Sequence, residues 1–152
     1  MLRKLLHTDD DWAPLVLRVM LAVVFFPHGA QKMLGWFGGY GFEGTLNAFT
    51  AKMGIPAFLA VLVFCAEFFG PMLLLAGAAS RFAAFGITCN MIGAIFIVHI
   101  PNGFFMNWGG MQQGEGFEFH LLAIAITTAL MIKGSGRWSI DRMVSRKLWG
   151  SP

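Results

Sequence analysis

Charged residues are scarce in this chain, and so are cysteine and tyrosine. Only 12% of its 152 residues are charged, against 57% that are hydrophobic, and there are two Cys and one Tyr. A typical soluble domain carries about 25% charged residues, so the composition excludes an ordinary soluble domain. Cys65 and Cys89 lie in apolar segments and do not form a C-x-x-C motif, which indicates neither a disulfide framework nor a metal knuckle. We interpret both as buried thiols in an integral membrane protein.

Long apolar segments predict an all-α fold. A bilayer core of roughly 30 Å requires about 20 apolar residues per helix, so four crossings nearly exhaust the chain. The sequence therefore predicts one membrane domain over residues 1–152, a bundle of four transmembrane helices. Their expected bounds are about 12–34, opened by Asp11 as N-cap, then 55–79, 82–100 and 118–133.

Two glycine-rich loops separate these segments. The first runs from Gly35 to Gly54, and its Leu46, Phe49 and Met53 recur at helical spacing. This pattern predicts a short helix on the membrane surface. The second loop follows Pro101 and ends near Gly116. With four crossings, both loops are expected on the outer side.

Basic residues predict the orientation, because lysine and arginine accumulate on the cytoplasmic side. One side would carry only Lys32 and Lys52. The other would carry Arg3, Lys4, Arg18, Arg81, Lys133, Arg137, Arg142, Arg146 and Lys147. We therefore expect both termini in the cytoplasm. The net charge of +3 comes from residues beside apolar segments, which favours lipid headgroups and not nucleic acid as partners.

Glu67 lies within an unbroken apolar run, where a charge costs several kcal/mol. Counting 1.5 Å per residue from the cytoplasmic end of each segment places five polar side chains in one layer of the outer half of the bilayer. The estimated depths are about 22 Å for His28, 20 Å for Glu67, 25 Å for His99, 24 Å for Glu118 and 21 Å for His120.

Two further polar residues fall at an inner level. The same count places Arg18 at about 8 Å and Asn90 at about 12 Å. We expect the Arg18 side chain to extend to the headgroups.

Such a layer suits a quinone, whose carbonyl groups need hydrogen bonds and protons while its tail needs an apolar pocket. Alternatives stay open. A metal could be held by His28, His99, His120 and Glu67, or a haem by two of the histidines, but no H-x-x-x-H or E-x-x-H spacing supports either, and we assign no metal ligand. Glu67 could instead titrate in a path for protons, metals or small solutes. The layer could also simply fix helix register in a scaffold.

Four sequence strings resemble the DoxX family. They are FPHGAQKMLGWFGG at Phe26 to Gly39, AEFFGPMLLLAG around Glu67 followed by Ser80 and Arg81, VHIPNGFF at Val98 to Phe105, and GRWSID at Gly136 to Asp141. The resemblance covers nearly the whole chain. It implies a four-helix bacterial inner-membrane protein associated with quinone-dependent oxidoreductases.

The resemblance also implies site residues. His28, Lys32, Glu67, His99 and Glu118 match the family's motif positions. We expect these five residues to form the quinone site, with Glu67, His28 and His99 as the catalytic groups. His120 departs from the family pattern, which weakens a three-histidine metal site. We expect a partner protein to carry the redox centre, and the small-residue face of segment three leaves room for a homo-oligomer.

Overall fold

The computed structural model describes residues 5–150, and the regular secondary structure in that range is helical. Arg3 and Lys4 of the predicted basic set lie outside it. Six α-helices lie entirely within this range: α1 (Trp12–Leu34), α2 (Gly41–Asn47), α3 (Ala57–Ala76), α4 (Ser80–Ala94), α5 (Glu118–Lys133) and α6 (Ile140–Trp149). The predicted all-α class is thus confirmed.

Three helical regions are long and apolar enough to cross a membrane. They are Trp12–Leu34, Ala57–Ala76, and Ser80–Asn102, in which α4 continues through a π turn and a 3₁₀ turn. Helix α5 has 16 residues, fewer than the roughly 20 of a typical crossing. The bounds of α1 and α5 match the prediction, and the Asp11 carboxylate accepts from the Ala13 N–H at 2.9 Å, as expected of an N-cap.

The helical regions Ala57–Ala76 and Ser80–Asn102 differ from the predicted bounds of segments two and three by two to three residues at all four ends. Helix α3 ends at Ala76 because Gly77 adopts the left-handed conformation (φ 64°) that terminates helices. Helix α4 begins at Ser80, where the Asp141 carboxylate accepts from the Ala79 and Ser80 N–H groups at 2.7 and 3.1 Å. A cap supplied from 61 residues away cannot be read from local sequence.

Helix α1 packs against α3, α3 against α4, and α4 against α5. The core between them is apolar, and its buried members include Phe25, Leu74, Ile87, Met91 and Leu130. The short helix predicted in the first loop is present as α2 and a following π turn. Its Phe42 and Phe49 rings pack on Phe64 of α3, with centroids 5.7 and 5.4 Å apart.

Cys65 is half-buried and Cys89 is exposed, so the expectation of a buried thiol was wrong for Cys89. Cys89 lies on the same outer face of α4 as Phe85 and Ile92. Hydropathy does not separate this face from the core, because lipid-facing and bundle-facing positions are both apolar in a membrane protein.

Both ends of the described chain lie at the same end of the bundle. The Arg137 N–H donates to the Asp11 carbonyl at 3.0 Å, and the Asp141 N–H donates to the Gly77 carbonyl at 2.9 Å. Residues 5–11, 77–80 and 134–150 therefore form what we term the basal end. The two glycine-rich loops form the opposite, loop end.

Candidate functional site

Glu67 is the centre of a buried polar cluster that joins three helices. Its carboxylate Oε2 pairs with the Lys32 ammonium of α1, and Oε1 accepts from Asn90 Nδ2 of α4 at 2.6 Å. Glu67 itself is 7% exposed. We term Lys32, Glu67 and Asn90 the Glu67 cluster. It places a buried negative charge between a cation and an amide donor, which is the environment that such a charge needs.

The position of Asn90 corrects the depth estimate. The sequence placed Asn90 at an inner level, well below Glu67, yet the two side chains are hydrogen-bonded. The error comes from the helix bounds. With α3 ending at Ala76 and α4 beginning at Ser80, Glu67 and Asn90 lie about 14 and 15 Å from their basal ends.

Gly29 explains how α1 comes close enough for Lys32 to reach Glu67. A Cβ atom added at Gly29 would overlap the backbone carbonyl of Glu67 and the Cα atom of Phe68. Gly29 has an ordinary helical conformation, so the backbone angles do not require glycine here. The close approach of the two backbones requires it. The next turn of α1 carries Lys32, so the contact sets its distance from Glu67.

His28 is exposed at the surface of the bundle. It precedes Lys32 by four residues, and side chains at this spacing are neighbours on one helix face. The rings of Phe26 in α1 and Phe68 in α3 stack on each other, with centroids 5.9 Å apart. Phe26 is two residues before His28 in the sequence, and Phe68 directly follows Glu67. The interface between α1 and α3 thus supplies charged, imidazole and aromatic groups.

His99 and His120 form a second group, the histidine pair. Their ring centroids are 4.0 Å apart, and His99 Nδ1 lies 2.8 Å from the Glu115 carbonyl oxygen. His120 is buried, and its Nδ1 has no hydrogen-bond partner within residues 5–150. His99 follows Asn90 by nine residues, which places it about 13 Å farther along the helix from the Glu67 cluster.

Glu118 is engaged with the second loop. Its Oε1 accepts from the Met106 N–H at 2.9 Å and from Trp108 Nε1 at 3.4 Å. It also borders an open apolar groove with Phe104, Leu121 and Leu122. The layer predicted from depth is therefore divided into the Glu67 cluster, the histidine pair and this loop contact. Within residues 5–150, no three His, Cys, Asp or Glu side chains are grouped closely enough to hold a metal ion.

Arg18 does not extend to the headgroups, contrary to the expectation. It is 1% exposed, and its guanidinium donates to backbone carbonyls of α3 and of the segment after α5. The acceptors are Ser135 (3.0 Å), Leu74 (2.8 Å), Leu75 (2.6 Å), Arg137 (3.1 Å) and Trp138 (2.7 Å). The final carbonyls of a helix have no partner within the helix, so a planar five-donor group at this place satisfies them.

The DoxX family model matches residues 13–100, more than half of the chain. A Bacillus subtilis protein named "Putative oxidoreductase CatD" is 30% identical over 86% of this chain and 85% of its own length. An uncharacterized membrane protein of Mycobacterium tuberculosis is 29% identical over 95% and 88%. The inner membrane protein YqjF of Escherichia coli is 26% identical over 91% and 96%. No solved structure matches. By the extent of the family match and the identity to its relatives, the chain belongs to the DoxX family.

Proposed function

We propose that the protein is a multi-pass protein of the bacterial inner membrane, crossed by α1, α3, α4 and α5, with the basal end in the cytoplasm. The charge distribution supports this orientation. Among the described residues, the basic side chains toward the loop end are Lys52 in the first loop and Lys32 in the last turn of α1. The basal end and the helix turns next to it carry Arg18, Arg81, Lys133, Arg137, Arg142, Arg146 and Lys147. The E. coli relative is named an inner membrane protein.

Cysteine labelling in intact cells tests the orientation. In a background with Cys65→Ser and Cys89→Ser, we expect Met111→Cys in the second loop to react with a membrane-impermeant maleimide added outside. Arg146→Cys at the basal end should react only after the membrane is disrupted. Reaction of Arg146→Cys in intact cells, with Met111→Cys protected, would reverse the proposed topology.

We further propose that the protein binds a quinone beside the Glu67 cluster and acts as a redox-associated membrane subunit. One observation carries this proposal. The Lys32 side chain is 22% exposed while that of its partner Glu67 is 9% exposed, so the cation reaches the bundle surface and its counter-charge stays buried. A quinone carbonyl oxygen is a suitable acceptor for such an ammonium group, and the quinone tail can stay in lipid.

The residues of the α1–α3 interface fit this role. Lys32 would donate a hydrogen bond to a quinone carbonyl, Glu67 would hold the Lys32 side chain in place, and exposed His28 would exchange protons. Phe26 and Phe68 would line the ring. A bound quinone supplies two-electron, two-proton carrier chemistry. The electrons would pass to or from a partner protein that carries the redox centre, and the name of the B. subtilis relative as an oxidoreductase supports this association.

That His99 and Glu118 belong to the quinone site stays a prediction. Both lie at the loop end, where His99 contacts His120 and Glu118 contacts the second loop. If they take part, they act from that end and not through the Glu67 cluster.

Quinone content tests the binding proposal. The protein would be purified with native lipids, and bound quinone per mole of protein would be measured by extraction and chromatography. Loss of the Lys32 ion pair removes a charged hydrogen-bonding arrangement, so we expect Glu67→Gln to lower quinone occupancy about tenfold. His28→Ala should lower it as well. Glu43→Gln, which changes an exposed carboxylate on α2, is the matched control and should leave it unchanged.

A structural ion pair is the second candidate, because Lys32 and Asn90 together engage both oxygens of Glu67. If the pair only fixes helix register, Glu67→Gln will lower the thermal midpoint while the quinone content stays equal to that of wild type and Glu43→Gln. That result would contradict quinone binding at this site.

A further inference from the structure

The C-terminal helix α6 packs against the bundle with its polar face. Asp141, Arg142 and Ser145 are buried, whereas Ile140 and Met143 are exposed. Leu148 is also exposed and lies about 80° around the helix from Ile140. A surface helix of a soluble protein shows the opposite arrangement, with its apolar side toward the core. The apolar side of α6 therefore needs an apolar environment outside the protein.

Polar contacts fix α6 in this orientation. Asp141 accepts from the Ala79 and Ser80 N–H groups and from Ser135 Oγ. Arg142 Nη1 pairs with Asp10 at 2.6 Å. Because these bonds hold the polar side against the basal end, the helix cannot turn its apolar side inward without breaking them.

Trp138 connects the apolar side of α6 to the membrane-facing surface of α1. It is exposed, and its φ of 52° is unusual for a bulky residue. Its ring meets that of Trp12 edge to face at 5.1 Å and borders an apolar groove with Val16 and Met20. Val16 and Met20 are exposed on a predicted membrane span. The exposed apolar surface is thus continuous from α1 to the start of α6.

The charges of α6 indicate the kind of surface that it meets. Arg146 and Lys147 are exposed in its last turn, close in sequence to the apolar side chains. Exposed basic residues next to an apolar face match the boundary between anionic headgroups and acyl chains, where tryptophan is also favoured.

We propose that residues 138–149 form an interfacial anchor: α6 lies in the headgroup layer of the leaflet at the basal end, with Ile140, Met143 and Leu148 in the acyl boundary. Arg146 and Lys147 contact the phosphates of anionic glycerophospholipids. Trp138 completes the anchor where α6 meets α1. The proposal concerns the membrane contact of the helix and is independent of quinone binding.

A matched pair of methionines allows a direct test. Met143 on α6 and Met111 in the second loop are 71% and 95% exposed in the protein, so labels at either position should leave the fold intact. Full-length Met143→Cys and Met111→Cys, each with Cys65→Ser and Cys89→Ser, would be labelled with an environment-sensitive fluorophore. They would be reconstituted in vesicles of phosphatidylethanolamine and phosphatidylglycerol.

Aqueous iodide and a lipid with a nitroxide close to its headgroup would serve as quenchers. For an interfacial anchor, we expect iodide to quench the Met143→Cys label about fivefold less than the Met111→Cys label, because the label lies below the headgroups. The lipid nitroxide should quench only the former. Equal iodide access at the two positions would overturn the proposal. A second outcome would also overturn it: the Met143→Cys label is protected from iodide but not quenched by the nitroxide, and the protection grows with the protein-to-lipid ratio. This outcome indicates contact with a second copy of the protein.

Discussion

Arg18→Met is expected to lower the free energy of unfolding by about 4 kcal/mol, a large effect for one substitution. The guanidinium donates to carbonyls of α3 and of the segment after α5, and Arg18 itself belongs to α1. Methionine has a similar length but no donor, so all five carbonyls lose the guanidinium together, and in the part of the chain that the structure describes only that of Leu74 keeps another donor, the Gly77 N–H at 3.0 Å. Each unsatisfied buried group costs about 1–3 kcal/mol, and water admitted at the basal end offsets part of that sum. Denaturant titration in mixed micelles would measure the change.

Two variants accompany this measurement. Arg18→Lys keeps the charge, but its three donors are on one nitrogen atom and cannot reach the acceptors of both α3 and the segment after α5. We therefore expect this variant to lose about 2 kcal/mol of unfolding free energy. Arg146→Met removes the same side chain from an exposed position of α6 and should change stability by less than about 0.5 kcal/mol. Similar losses for Arg18→Met and Arg146→Met would contradict the role of the buried guanidinium.

Gly29→Ala is expected to force α1 and α3 apart and to destabilise the protein by about 3 kcal/mol. The added methyl group would meet the backbone of Glu67 and Phe68, which cannot move as a side chain could. The separation should also weaken the pair of Lys32 with Glu67. Thermal unfolding would report the stability, and the quinone content of the purified variant would report the site.

Gly93→Ala is the matched control, because a Cβ at Gly93 meets no atom within 4 Å. Alanine is also the better helix former by about 1 kcal/mol, so this variant should be neutral or slightly more stable. If Gly29→Ala behaves like Gly93→Ala, the close approach of α1 and α3 is not what positions Lys32.

Much of the candidate site could be named from the sequence, but its grouping could not. Glu67 and Lys32 stand out because a charge in an apolar segment needs a partner. Asn90 was assigned to the wrong level because its estimated depth depends on helix ends, and one of these is set by the distant Asp141. His99 and His120 were expected beside Glu67 and instead contact each other near the second loop.

The sequence by itself determined the all-helical class, the bounds of α1 and α5, and the family, because apolar runs, caps and short motifs are local features. Tertiary structure alone decided which polar groups meet. Arg18 was expected to reach lipid headgroups from its place in α1, yet its guanidinium donates to backbone carbonyls of distant segments. Apolar positions on α6 and Cys89 could likewise not be assigned to core or exterior. In a membrane both environments are apolar, so hydropathy carries no information on facing, and only packing between helices supplies it.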